Sequence, residues 1–169
     1  MRLLLPLLLL TLCFTGCDST DDGGGDLALG SMAAEIDGEG WSAANATITE
    51  VSAAGNRTLT INGARVGAEI STLNVSVTAV GGATLGTGPY AIGDDGTDNV
   101  FGTGAYAPSP TSQATYLATS GTLTIDALDD DGARGTFSFT AERPNTGETV
   151  TVAGGRFNVA FGPDLPTFP

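Results

Sequence analysis

Leu73-Asn74-Val75-Ser76-Val77-Thr78 alternates apolar and polar side chains at every step. A strand turns successive side chains to opposite faces, so Leu73, Val75 and Val77 share one face and Asn74, Ser76 and Thr78 the other. The first face belongs in a core and the second in water, as in a half-buried antiparallel strand. The same period recurs in both directions along the chain. Leu59 and Ile61 alternate with Thr58, Thr60 and Asn62, and Leu123 and Ile125 with Thr122, Thr124 and Asp126. Phe137 and Phe139 alternate with Thr136, Ser138 and Thr140, and Phe157, Val159 and Phe161 with Asn158 and Ala160. Past the apolar N-terminal run, no stretch carries a convincing helical period.

Turn chemistry joins these segments. Asp37-Gly38-Glu39-Gly40 separates residues 34–36 from 41–43 and reads as a hairpin. Asp129-Asp130-Asp131-Gly132 separates the Leu123 and Phe137 strands, and Gly154-Gly155 reads as a break between Val152 and Phe157. Turn signals every 8–12 residues or so predict an all-β fold, an antiparallel β-sandwich or small barrel of about nine to eleven strands. Segment 86–118 is the least regular and reads as shorter strands joined by exposed loops. A membrane-spanning barrel is disfavoured: aromatics are only 7% of the chain, the strands read as shorter than about ten residues, and the end is rich in proline.

The N-terminus has a different character. Met1-Arg2 precedes an apolar run over residues 3–14, followed by Thr15-Gly16-Cys17, the layout of an export signal. The run carries Pro6 and is shorter than the roughly 17–25 residues a membrane helix needs. Phe14-Thr15-Gly16-Cys17 resembles the end of a bacterial lipoprotein signal, although Phe14 stands where that pattern usually has leucine. The resemblance implies a diacylglycerol thioether on the Cys17 sulfur, cleavage before Cys17, and acylation, palmitate-like, of the new amino terminus. Two or more chains anchor stably where one does not. The expected organisation is a signal at 1–16, the lipidated cysteine with an acidic, glycine-rich tether at 17–31, one all-β domain at 32–161, and a proline-rich tail at 162–169. The tether has an r.m.s. reach of roughly 20 Å as a flexible coil. The expected location is the bacterial cell envelope, with the outer membrane favoured. The acidic start resembles the export tags of surface lipoproteins, yet in enteric bacteria an aspartate there accompanies inner-membrane retention, so the leaflet stays open.

Composition narrows the chemistry. The chain has 19 carboxylates against six arginines, with neither lysine nor histidine. Removing the signal takes away Arg2 and Cys13, leaving Arg57, Arg65, Arg134, Arg143 and Arg156 and, with Cys17 acylated, no free thiol. Such a surface repels nucleic acid, whose binding needs a basic face. Disulfides, thiolate nucleophiles and Cys-based metal sites are excluded with the thiols. The commonest general bases and nucleophiles are missing as well, so no enzyme is expected and no catalytic residue is assigned. No cofactor is expected beyond the covalent lipid on Cys17.

Two acidic clusters are candidates for calcium, which takes several oxygen ligands. One is Asp94, Asp95 and Asp98; the other is Asp126, Asp129, Asp130 and Asp131. The second fails an EF-hand template at Ala127 and Ser138, and turn chemistry accounts better for both. Tyr90, Tyr106 and Tyr116 are candidates for an aromatic platform that stacks on sugar rings while nearby Asp and Asn accept hydroxyl hydrogens. Trp41 is expected in the core, because so aromatic-poor a fold needs its single tryptophan inside.

Six fragments in order carry a family resemblance. They are Ile36-Asp37-Gly38-Glu39-Gly40-Trp41-Ser42-Ala43, Leu59-Thr60-Ile61-Asn62-Gly63, Gly88-Pro89-Tyr90-Ala91-Ile92, Ser120-Gly121-Thr122-Leu123-Thr124-Ile125, Gly135-Thr136-Phe137-Ser138-Phe139 and Gly155-Arg156-Phe157-Asn158-Val159. Residues 32–161 thereby resemble a domain-of-unknown-function family of short all-β bacterial lipoproteins. The resemblance implies a β fold and no established activity. The expected role is that of a lipid-anchored envelope protein, non-catalytic and structural or recognitional, with a membrane contact through the lipid. The alternative is a glycan- or small-ligand-binding surface module, its partner an envelope glycan or protein.

Overall fold

The computed structural model describes residues 27–67, 69–93, 98–110 and 115–162. The signal, Cys17, residues 18–26 of the tether, Asp94, Asp95 and the tail beyond Gly162 lie outside them. The described residues form ten strands and no helix: β1 (Ser31–Ile36), β2 (Glu39–Ser42), β3 (Asn45–Ala53), β4 (Asn56–Arg65), β5 (Ser71–Ala79), β6 (Gly88–Ile92), β7 (Val100–Ala107), β8 (Tyr116–Leu128), β9 (Gly132–Glu142) and β10 (Thr149–Ala160). All ten join one sheet in the order β2-β1-β10-β9-β8-β6-β7-β5-β4-β3.

The sheet curls into a half-barrel whose ends come together. β2 and β3, at opposite ends of the order, are consecutive in the chain, so one bent segment pairs first with β1 and then with β4. The seam is stitched by the Ala46 amide donating to the Gly30 carbonyl at 2.9 Å and by a parallel bridge between Ile48 and Phe161. Curling a sheet this tightly takes bulges, which bend a strand and increase its twist. Register shifts fall between Ala33 and Glu35, Ala118 and Ser120, Ile125 and Ala127, and Val152 and Gly155.

The last of these corrects the reading of Gly154-Gly155 as a break: β10 runs unbroken through both. Gly154 takes the bulge's positive φ of 57°, and Gly155 lies opposite Phe137. A Cβ at Gly155 would sit inside the Phe137 ring's contact distance, and one at Gly135 would stand 2.8 Å from Phe157. Antiparallel register pairs Gly155 with Phe137 and Phe157 with Gly135, so the two Gly-x-Phe fragments interlock, each ring covering the other strand's glycine. The Phe137 and Phe157 centroids are 6.4 Å apart.

Side chains on the inner face make one core. Leu59, Ile61, Leu73, Val75, Val77, Leu123, Ile125, Phe157 and Val159 are buried, in the alternation read from sequence. Bulges let β8, β9 and β10 reach 13, 11 and 12 residues, longer than expected. Strand length therefore does not argue against a membrane-spanning barrel. Side-chain facing does: Thr122, Thr136 and Ser138 are exposed while the interior is packed apolar, the reverse of a barrel that turns apolar residues to lipid. The fold also starts earlier than composition suggests. Leu27 is already held, its carbonyl accepting from Asn158 Nδ2, and β1 opens at Ser31.

Candidate functional site

A cavity opens at one end of the half-barrel, where β7 and β8 pair directly. β7 and β8 pair directly only at Ala105–Leu117 and Tyr106–Tyr116; further along, β6 wedges between them. The direct pair puts Tyr106 and Tyr116 side by side, centroids 6.2 Å apart and planes at 28°. Sequence analysis selected both tyrosines, and the fold brings them together at the rim of a cavity of about 350 Å³. That size suits a small-molecule site.

The rest of the mouth comes from segments distant in the sequence. The β1–β2 turn supplies Asp37 and β2 supplies Glu39, while Arg65 comes from the end of β4 and Val150 from β10. Asp37 is fixed: its φ is 50°, and its Oδ1 accepts the Thr151 amide at 2.8 Å. Glu39 and Arg65 are exposed. Trp41 forms part of the floor and is itself buried, as expected. Its Nε1 donates to Ser71 Oγ at 2.9 Å, so its one polar atom is paired with a buried hydroxyl. Its ring fits because residue 63 is glycine: a Cβ there would stand 2.9 Å from Trp41 and 2.6 Å from Met32 Sδ. The Leu-Thr-Ile-x-Gly fragment thus ends in glycine to seat the tryptophan of β2.

Arg143 buttresses the mouth from behind. Its Nη2 donates to the Tyr116 hydroxyl at 2.7 Å, its guanidinium carbon lies 4.6 Å from the Tyr116 ring centroid, and its Nη1 pairs with Glu148 at 2.6 Å. Tyr116 is therefore held at both ring and hydroxyl. Tyr106 is held only by its ring. It is 8% exposed, and its hydroxyl has no hydrogen-bond partner among the described residues. Burial raises its pKa above the ordinary 10.0, Arg65 opposes the rise, and Tyr116, Asp37 and Glu39 add to it. These neighbours place the phenol in the field of the mouth's own charges.

The other candidates fall elsewhere. Tyr90 does not line the mouth; its hydroxyl donates to the Gly86 carbonyl at 2.7 Å and accepts the Gly86 amide at 3.1 Å, closing a loop on itself. The second acidic cluster is a turn: Asp129 Oδ1 accepts the amides of Asp131 and Gly132 at 2.9 and 3.1 Å. Asp98 is exposed, and Asp94 and Asp95 lie outside the described residues. Among the described residues no three acidic side chains converge as a metal site would require. Arg65, Arg143, Asp37 and Glu39 were not singled out from sequence. Only the Asp-Gly turn hinted at one of them.

Neither the curated proteins nor the solved structures contain a match to this chain. Residues 29–159, the span of the half-barrel, match the family described as a domain of unknown function (DUF6252), and the chain belongs to that family.

Proposed function

We propose that this chain is a lipid-anchored protein of the bacterial cell envelope, held through Cys17, that presents the Tyr106–Tyr116 mouth for recognition. The outer membrane is the favoured location. Its role is binding rather than catalysis. The observation that carries this reading is where the chain enters the fold. Leu27 and Gly30 are tied to Asn158, near the β8–β9 turn, whereas the mouth gathers the opposite ends of β7, β8 and β10. The six residues of β1, Ser31–Ile36, cover the interval from this entry to the mouth, roughly 20 Å, so an anchor at one end leaves the mouth about that far from the attachment point. A purely structural envelope component is the second reading. The mouth favours recognition over it, because Tyr106 keeps an unpartnered hydroxyl at the edge of an open cavity.

Membrane fractionation of cells expressing the full chain tests the anchor. The unaltered protein is expected in the membrane fraction with acyl chains on residue 17 by intact mass, and Cys17→Ser in the soluble fraction with its domain folded. A Cys17→Ser protein that stays with the membrane, or a mature protein beginning at another residue, contradicts the reading.

A further inference from the structure

The mouth combines three kinds of group that no packing requirement brings together. Tyr106 is more than nine-tenths buried, and its hydroxyl, which has no partner among the described residues, is the accessible end of the side chain. It borders a cavity large enough for something that hydrogen-bonds it. Glu39, an acceptor, and Arg65, a donor, stand on the same rim without a hydrogen bond or ion pair to any described residue. Beside them the Tyr106 and Tyr116 rings offer aromatic surface.

We infer that the mouth binds a neutral, ring-shaped polyhydroxylated ligand, one or two sugar rings of a glycan. This inference rests on the reading of the mouth as a recognition site and supplies its ligand class. Each hydroxyl of a sugar both donates and accepts, so one ring satisfies Glu39, Arg65 and the Tyr106 phenol together. The apolar C–H face of the ring lies on the tyrosines. A simple anion would use Arg65 but meet Glu39, Asp37 and a chain with 19 carboxylates. A simple cation would use Glu39 but meet Arg65, while Asp37 already spends one oxygen on the Thr151 amide. A ligand that donates and accepts at once can engage all three where a simple ion cannot.

Ligand-detected saturation-transfer NMR on the full chain carrying Cys17→Ser tests this. The probes are the methyl β-glycosides of glucose, galactose and N-acetylglucosamine, with acyclic sorbitol, choline and acetate for comparison. At least one glycoside is expected to bind saturably and sorbitol far more weakly. Tyr106→Phe is expected to weaken that glycoside about three- to tenfold and Glu39→Gln about tenfold or more, the latter through loss of a charged acceptor. Asp131→Asn, at the far end, is expected to change nothing. Binding of choline or acetate with the same variant sensitivity overturns the ligand class while leaving the mouth as the site. Glycoside binding indifferent to both mouth variants overturns the site. Absence of binding by every probe, with the variants' thermal unfolding intact, overturns the proposal outright. The anchor reading is scored separately, by fractionation.

Discussion

The belt around Phe137 and Phe157 and the mouth around Tyr106 and Tyr116 are both aromatic pairs on neighbouring strands, and they are built to opposite ends. In the belt each ring covers a glycine of the facing strand, and nothing polar is left over. In the mouth the rings face a cavity, with a guanidinium behind one and a free hydroxyl on the other. The belt spends its aromatic area on cohesion. The mouth leaves that area reachable. Stability and the proposed recognition are thus assigned to different positions in this fold, and substitutions should separate them.

The sharpest break is expected in the belt. Gly155→Val forces a branched side chain into the Phe137 ring and should cost about 3 kcal/mol or more, read as a lowered urea midpoint. The interlock is tested by a cycle: Gly155→Ala combined with Phe137→Leu should be milder than the sum of the two by about 1 kcal/mol. Additive costs would mean that the ring and the glycine do not share the space described.

A smaller effect is expected in the floor of the mouth. Ser71→Ala strands the Trp41 Nε1 in a buried site and should destabilise by about 1–3 kcal/mol. Because Trp41 is the single tryptophan, its fluorescence reports the change directly. An unaltered unfolding curve would show that the hydrogen bond contributes nothing.

The smallest effect belongs to the mouth. Burial raises the Tyr106 pKa, which means the fold favours the neutral phenol. The associated stability is complete below the unfolded-state value near 10 and is lost as pH climbs through the higher folded-state value. Tyrosinate absorbance of the folded protein should therefore show a step later than in the unfolded chain, and Tyr106→Phe should delete that late step. At neutral pH the same variant should leave stability nearly unchanged. A late step that survives Tyr106→Phe would assign the burial to another phenol.

The two regions were unequally legible. Alternation around Leu73, Leu123 and Phe137 revealed the strands because a half-buried sheet imposes period two on the chain. The same logic faltered at Gly154-Gly155, where adjacent glycines mark a bulge under an aromatic ring instead of a turn. Bulges also cut the apparent period of β8, so the strands read as shorter than they are. The mouth was visible only in Tyr106 and Tyr116. Its other groups come from segments as distant as Asp37, Arg65 and Arg143, and nothing local in a lone charged residue says which others it will face. Choosing between sandwich and barrel needed β2 and β3 to be seen as one bent segment pairing at both ends of the sheet, a long-range fact that no local pattern encodes.

The account turns on the mouth standing at the end of the molecule away from the proposed Cys17 anchor, and depth in the membrane measures this directly. Glu39→Cys places a thiol at the mouth and Asp131→Cys places one beside the chain's entry, in a protein whose Cys17 is expected to be acylated. Each is labelled with a fluorophore in the lipid-anchored full chain on vesicles carrying quencher-bearing headgroups. The label at residue 131 should be quenched more strongly than the label at residue 39. Equal quenching, or stronger quenching at residue 39, would place the mouth against the membrane and contradict the account.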